Sequence, residues 1–111
     1  MTTALLVDQD GNHAEQLGVV LAKRGLTVVR TADIEEAINK LRSSAHVWEI
    51  VILVIGDLSR PWLSILRNLQ EAAQQRAFLE MPVFLCVSQR ELGINFQLRI
   101  ERMGARYASE E

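Results

Sequence analysis

Apolar positions along the chain recur with two different spacings, and the places where the spacing changes divide it into nine short elements. Near-continuous or alternating apolar runs at residues 4–7, 26–31, 50–55 and 83–87, with a weaker one at 105–108, predict strands. Between them apolar residues fall at helical spacing: Ala14, Leu17 and Leu21, then Ala37, Ile38 and Leu41, then Leu66 and Leu69, then Phe96, Ile100 and Met103. Each set shares one side of a helix, so the stripes read as core rather than as cofactor contacts. Asn12 with Glu15, Asp33 with Glu36, and Ser88 with Glu91 each place a capping side chain three residues before an acid, as in a capping box. Gly25 and Gly104 follow the first and fourth helical stretches, where a left-handed C-terminal cap falls. Residues 70–81 extend the third helix or form its exit loop.

The third and fourth apolar runs, I-V-I-L-V-I and V-F-L-C-V, are almost unbroken. Strands of that kind are covered on both faces, as in a parallel sheet flanked by helices. The order β-α-β-α-β-α-β-α-β therefore predicts an α/β fold, a doubly wound five-stranded parallel sheet with right-handed crossovers, and one domain over residues 1–111. A sheet of this kind normally carries a helix after its last strand, and only S-E-E follows the last strand run here. Without that helix a face beside the first helix is left partly uncovered. The expectation is that the chain is a piece of a longer protein or that another chain covers this face.

Composition narrows the function. With 111 residues, 49% of them hydrophobic and 23% charged, the chain is an ordinary globular domain. A formal charge of -2 makes no electrostatic case for nucleic acid or a membrane surface. M-T-T-A-L-L-V-D is not a signal peptide, and no apolar run reaches about 18 residues, so a cytoplasmic location is expected. His13 and His46 stand apart from each other and from any Cys-x-x-Cys, and read as exposed polar residues rather than metal ligands. Cys86, inside an apolar run and without a histidine partner, reads as a small buried hydrophobe. No glycine-rich phosphate cradle is present, so no cofactor is expected.

Five segments in order carry a more specific signal: A-L-L-V-D-Q-D at the first strand, G-L-T-V-V-R-T-A-D-I-E-E-A into the second helix, E-I-V-I-L-V at the third strand, M-P-V-F-L-C-V-S at the fourth, and M-G-A-R-Y before the fifth. Together they resemble the receiver domain of bacterial response regulators in two-component signalling, from Leu5 to Tyr107. The resemblance implies a flavodoxin-like fold. It also implies a site in which acids after the first strand hold Mg²⁺, an aspartate ending the third strand accepts phosphoryl, a hydroxyl ending the fourth contacts it, and a lysine after the fifth pairs with it. Phosphoryl transfer of this kind runs on positioning and charge neutralisation.

Residue by residue, this chain departs from that pattern. Asp8 is kept and Asp10 follows, but Gln9 stands where the family has a second acid, and an amide is a poorer ligand for a hard cation. Matching E-I-V-I-L-V to the family pattern puts Val54 at the phosphoacceptor position, with Asp57 three residues later in the turn. Val87 falls at the hydroxyl position and Ser88 one later. The lysine position falls on Glu111, or on Glu110 if Tyr107 is aligned with the family's aromatic switch by a one-residue deletion.

The resemblance thus implies a degenerate receiver that is not an enzyme, with no metal site assigned and cation binding at Asp8 and Asp10 weakened rather than excluded. Its work is recognition of another protein or of a second copy of itself, as in a homodimer. The interaction surface it implies is the fourth helix with the fifth strand, presenting Gln97, Arg99, Arg106 and Tyr107. Trp62, at the start of the third helix, reads as core or rim packing, with two further expectations from the resemblance: that it fills space left by the lost phosphate and metal, or that it joins that surface. Trp48 is expected to precede the third strand and cap the core at the opposite end. The alternative is a receiver-like N-terminal assembly domain of a larger enzyme, such as a pyridoxal-phosphate-dependent amino-acid decarboxylase.

Overall fold

The computed structural model of the chain describes residues 3–9, 14–43, 47–75, 81–88 and 90–109. The elements follow in the expected order: β1 (Thr3–Val7), α1 (Ala14–Lys23), β2 (Thr27–Thr31), α2 (Ile34–Arg42), β3 (Trp48–Ile55), α3 (Trp62–Gln74), β4 (Val83–Ser88), α4 (Ile94–Arg102) and β5 (Arg106–Ser109). All strand pairs are parallel and the sheet order is β2-β1-β3-β4-β5, so β1 and β3 lie at its centre.

Successive residues of a strand point to opposite faces. In β3, Val51, Leu53 and Ile55 pack with α2, α3 and α4, while Ile52 and Val54 pack on the side of α1. Both sets are buried, which is why the run lacks polar interruption. The two faces are unequal. Among the described residues the α2–α4 side buries a large cluster reaching from Leu5 to Ala105, whereas the buried cluster on the α1 side consists of Leu6, Ile52, Val54 and Val87, with the small Ala4 buried on the same face of β1. Ile50 and Leu85 are half-buried on that side, and Val83 is exposed.

The helix ends follow local chemistry. The Asp33 carboxylate accepts from the Glu35 N–H at 3.0 Å and caps α2, although its bond is to the backbone of Glu35 rather than part of a reciprocal box with Glu36. Gly25 and Gly104 have φ of 86° and 84°, the left-handed conformation that closes α1 and α4. Trp48 is the first residue of β3 rather than the residue before it, and it is buried. Its indole N–H donates to the Lys40 carbonyl at 3.1 Å, an acceptor in the last turn of α2 with no partner inside the helix.

One expected helix start is corrected. Ser88 does not cap α4, which begins at Ile94 after Gly93. Ser88 instead completes β4, paired with Ile55 and Ser109, and its Oγ accepts from the Arg90 N–H at 3.2 Å. Sheet pairing on both sides carries the strand through Ser88, and the same hydroxyl chemistry that caps helices here stabilises a turn. Asn12, Glu110, Glu111 and both histidines lie outside the described residues, as do residues 76–80.

Candidate functional site

In an open α/β sheet the crevice at the carboxyl ends of the central strands is the natural site, and it lies where the strand order reverses between β1 and β3. Asp8 follows β1, is buried at 3% exposure, and donates its N–H to the Thr31 carbonyl at 3.0 Å. Val7 pairs with Leu53, so Asp8 and Val54 stand at the same level on neighbouring strands. Val54 in turn pairs with Val87 of β4 and is 4% exposed, inside the apolar cluster with Leu6 and Ile52. The centre of the strand ends is therefore lined by valines. Ser88, also buried, sits one step beyond Val87 and pairs with Ser109. Asp10 lies outside the described residues.

Asp57 lies two residues beyond β3 in the exposed loop before α3. Its Oδ1 accepts from the Ser59 N–H at 3.0 Å, forming an Asx turn. Its carbonyl accepts from the Arg60 N–H at 3.2 Å and from the Trp62 indole N–H at 2.8 Å. These bonds hold the loop. The Ser59 hydrogen bonds, with a smaller contribution from the Arg60 charge, hold the Asp57 carboxyl below the ordinary carboxylate range. From the same loop Arg60 Nη1 reaches across to donate to Gln9 Oε1 at 3.1 Å, joining the β1–α1 and β3–α3 connections over the crevice. Among the described residues no group of three His, Cys, Asp or Glu side chains is arranged to hold a metal ion.

The β4–α4 loop is clamped from three sides. The Tyr107 hydroxyl accepts from the Leu92 N–H at 2.9 Å and donates to the Arg90 carbonyl at 3.2 Å, and Gln97 Nε2 donates to the Leu92 carbonyl at 2.6 Å. Tyr107→Phe removes both hydroxyl bonds while keeping the ring. It is expected to cost about 1 kcal/mol in urea unfolding and to speed hydrogen exchange at the Leu92 amide. Unchanged exchange at Leu92 would mean that the loop is held by other contacts.

No protein-family model matches the chain, and no curated protein sequence does. Solved structures do. A two-component response regulator from Clostridium difficile aligns over 99% of this chain and 84% of its own, with a TM-score of 0.77 at 16% identity. The chemotaxis protein CheY4 of Vibrio cholerae aligns over 99% and 87%, with a TM-score of 0.77 at 17% identity. A response regulator from Burkholderia pseudomallei, solved with a phosphorylated aspartic acid, calcium ion and citrate, aligns over 99% and 60%, with a TM-score of 0.76 at 18% identity. The fold is that of a response-regulator receiver domain. At these identities the likeness concerns the fold alone.

Within the receiver fold the sequence-expected residues separate into three groups. Asp8, Gln9, Val54, Val87 and Ser88 do converge on the carboxyl ends of the central strands. Arg99 and Arg106 are exposed on α4 and β5, while Gln97 and Tyr107 are half-buried with their polar groups bonded to the β4–α4 loop. Trp62 is 2% exposed within the main core cluster, which agrees with the core-packing reading and corrects its placement on the interaction surface. The ring lies in the core at the first turn of α3, in the cluster that also holds Leu66 and Leu69. Arg60 was missed. Its partner Gln9 is 51 positions away, and no local spacing carries a signal for that contact.

Among the described residues no helix is long and apolar enough to cross a membrane.

Proposed function

We propose that the chain is a receiver-like signalling domain that takes up no phosphoryl group and acts by binding another protein or a second copy of itself. The observation that carries this reading is the apolar character of the strand-end position beside Asp8. Val54 is buried there among Leu6, Ile52 and Val87, and a valine has no oxygen to accept phosphoryl. Asp57, the nearest following acid, faces solvent from a loop held by Ser59, Arg60 and Trp62, and bringing it inward breaks those bonds. Gln9, an amide engaged with Arg60, is a poor ligand for Mg²⁺.

Recognition then falls to exposed surface. The exposed Arg99 and Arg106 form one candidate contact on α4 and β5, and the half-covered strip of Ile50, Val83 and Leu85 beside α1 forms a self-association candidate. Incubation with acetyl phosphate or beryllofluoride at millimolar Mg²⁺ is expected to leave the intact mass unchanged, in the natural chain and in Asp57→Asn alike. Stoichiometric modification that disappears in Asp57→Asn overturns the reading. Sedimentation of the same samples is expected to show mass rising with concentration, and a clean monomer removes the second copy as the partner.

A further inference from the structure

Helix α1 carries a glycine in its middle, and the chain's own packing does not require one. A Cβ built at Gly18 meets only Cδ of Arg30, at 3.8 Å, an ordinary van der Waals contact. Glycine inside a helix is disfavoured relative to alanine because it loses more backbone freedom on folding. Here it leaves a notch without relieving a clash. The notch belongs to a shallow open groove between α1 and β2, lined by Gly18, Val19, Ala22, Val28 and Arg30. Val19 is 54% exposed, and Lys23, one turn further along the same side of the helix, is exposed as well.

The charge around this groove runs against the rest of the chain. Residues 15–30 carry three cations, Lys23, Arg24 and Arg30, against one acid, Glu15, in a protein whose formal charge is -2. β2 is an edge strand of the sheet, so the groove opens sideways to solvent.

From the notch, the apolar floor and the net cationic rim, we infer that the α1–β2 groove docks an acidic amphipathic helix of a partner protein. The apolar stripe of that helix lies on Val19, Ala22 and Val28 with one side chain seated at Gly18, and its carboxylates meet Lys23 and Arg30. This is the helix-in-groove mode, in which apolar contact supplies affinity and the charges set orientation and partner choice. A second copy of this groove fits poorly, since it brings cations against cations. Nucleic acid would use the cations but leave the valine floor without a function. The inference goes beyond the proposed function, because the groove lies at the opposite edge of the sheet from α4 and β5 and does not depend on Val54 being unreactive.

The test is an NMR titration of the full chain with a synthetic Leu/Glu amphipathic peptide of about four helical turns, its Leu/Lys counterpart and an oligouridine RNA. The Leu/Glu peptide is expected to shift the amides of Gly18, Val19, Ala22 and Val28 saturably. Arg30→Glu and Gly18→Leu, which fills the notch, are each expected to weaken binding about tenfold. The dispersion of each spectrum reports whether the variant is folded. If Gly18→Leu fails to fold, Arg30→Glu and the clash-free Gly18→Ala read the same groove, with Gly18→Ala giving a smaller loss. No shifts at these amides, equal binding of the Leu/Lys peptide, a response to RNA in place of the peptide, or undiminished binding by folded Gly18→Leu or Arg30→Glu each overturn the inference.

Discussion

Trp62→Ala is expected to remove about 3–5 kcal/mol of stability, the range for truncating a large aromatic in a core. Domains of this size are stable by only about 5–15 kcal/mol in total, so the variant stands at the edge of unfolding. The side chain is 2% exposed and belongs to the cluster that also holds Leu66, Leu69 and Ile55. It sits at the first position of α3 behind Pro61, so the cavity opens where the helix meets the strand ends. The indole N–H bond to the Asp57 carbonyl at 2.8 Å is lost as well, and with it one of the bonds that set the β3–α3 loop. Trp62→Phe separates the two effects: it keeps most of the ring and loses the N–H, and is expected to cost clearly less. Urea unfolding followed by circular dichroism measures both. A fall in midpoint for Trp62→Ala no larger than that for Trp62→Phe would show that ring burial is not what Trp62 contributes.

Val54→Asp is expected to be comparably damaging near neutral pH, on the order of 3–5 kcal/mol, the range for leaving a buried charge uncompensated. Val54 is 4% exposed among Leu6, Ile52 and Val87, and Asp8 occupies the same level on the next strand, so the new carboxylate meets apolar walls and a second acid. Both raise its folded pKa above the unfolded value of about 3.9. The sign follows. Below the unfolded value the carboxyl is neutral in both states and the deficit is smallest; it grows as pH rises from the unfolded towards the folded value and levels off above that. Val54→Asn carries a polar group without a titration, and its loss is expected to be independent of pH. Unfolding free energies of the two variants measured from pH 4 to pH 8 decide the matter: a pH-independent deficit in Val54→Asp would mean that the position is open to water or offers the charge a partner.

The two predictions concern opposite faces of the sheet, and together they describe what stands at the strand ends: a hydrophobic plug at Val54 and an aromatic brace at Trp62. Asp57 and Arg60 tie the β3–α3 loop to Ser59, to Trp62 and to Gln9. The β4–α4 loop is similarly held, with Tyr107, Gln97 and Ser88 each bonded to its backbone.

Cys86 shows how a local pattern carries through to the folded molecule. Its apolar run predicts a buried small side chain, and in the fold it is 1% exposed on the main core face. Burial pushes its thiol up to about 12, which makes it a poor nucleophile at neutral pH. The same logic carried the strand periods, the helix stripes, the Asp33 cap and the two left-handed glycines. Each of these is decided within a few residues by backbone preference or by the side on which apolar groups fall, so the order of elements and the parallel character of the sheet are legible in the sequence.

What the chain alone left ambiguous lies in contacts between distant residues. Ser88 followed by Glu91 has the local signature of a helix start, yet pairing with Ile55 and Ser109 claims Ser88 for β4. Trp62 at a helix start has no local mark of burial, and Arg60 none of its reach to Gln9. The sequence by itself determined the elements, their order and the residues available at the strand ends. Only the tertiary structure decided which way Asp57 faces, that Val54 is enclosed, and which backbone groups Tyr107 and Trp62 hold, because a hydrogen bond across 5 to 51 positions depends on where the sheet brings its loops together.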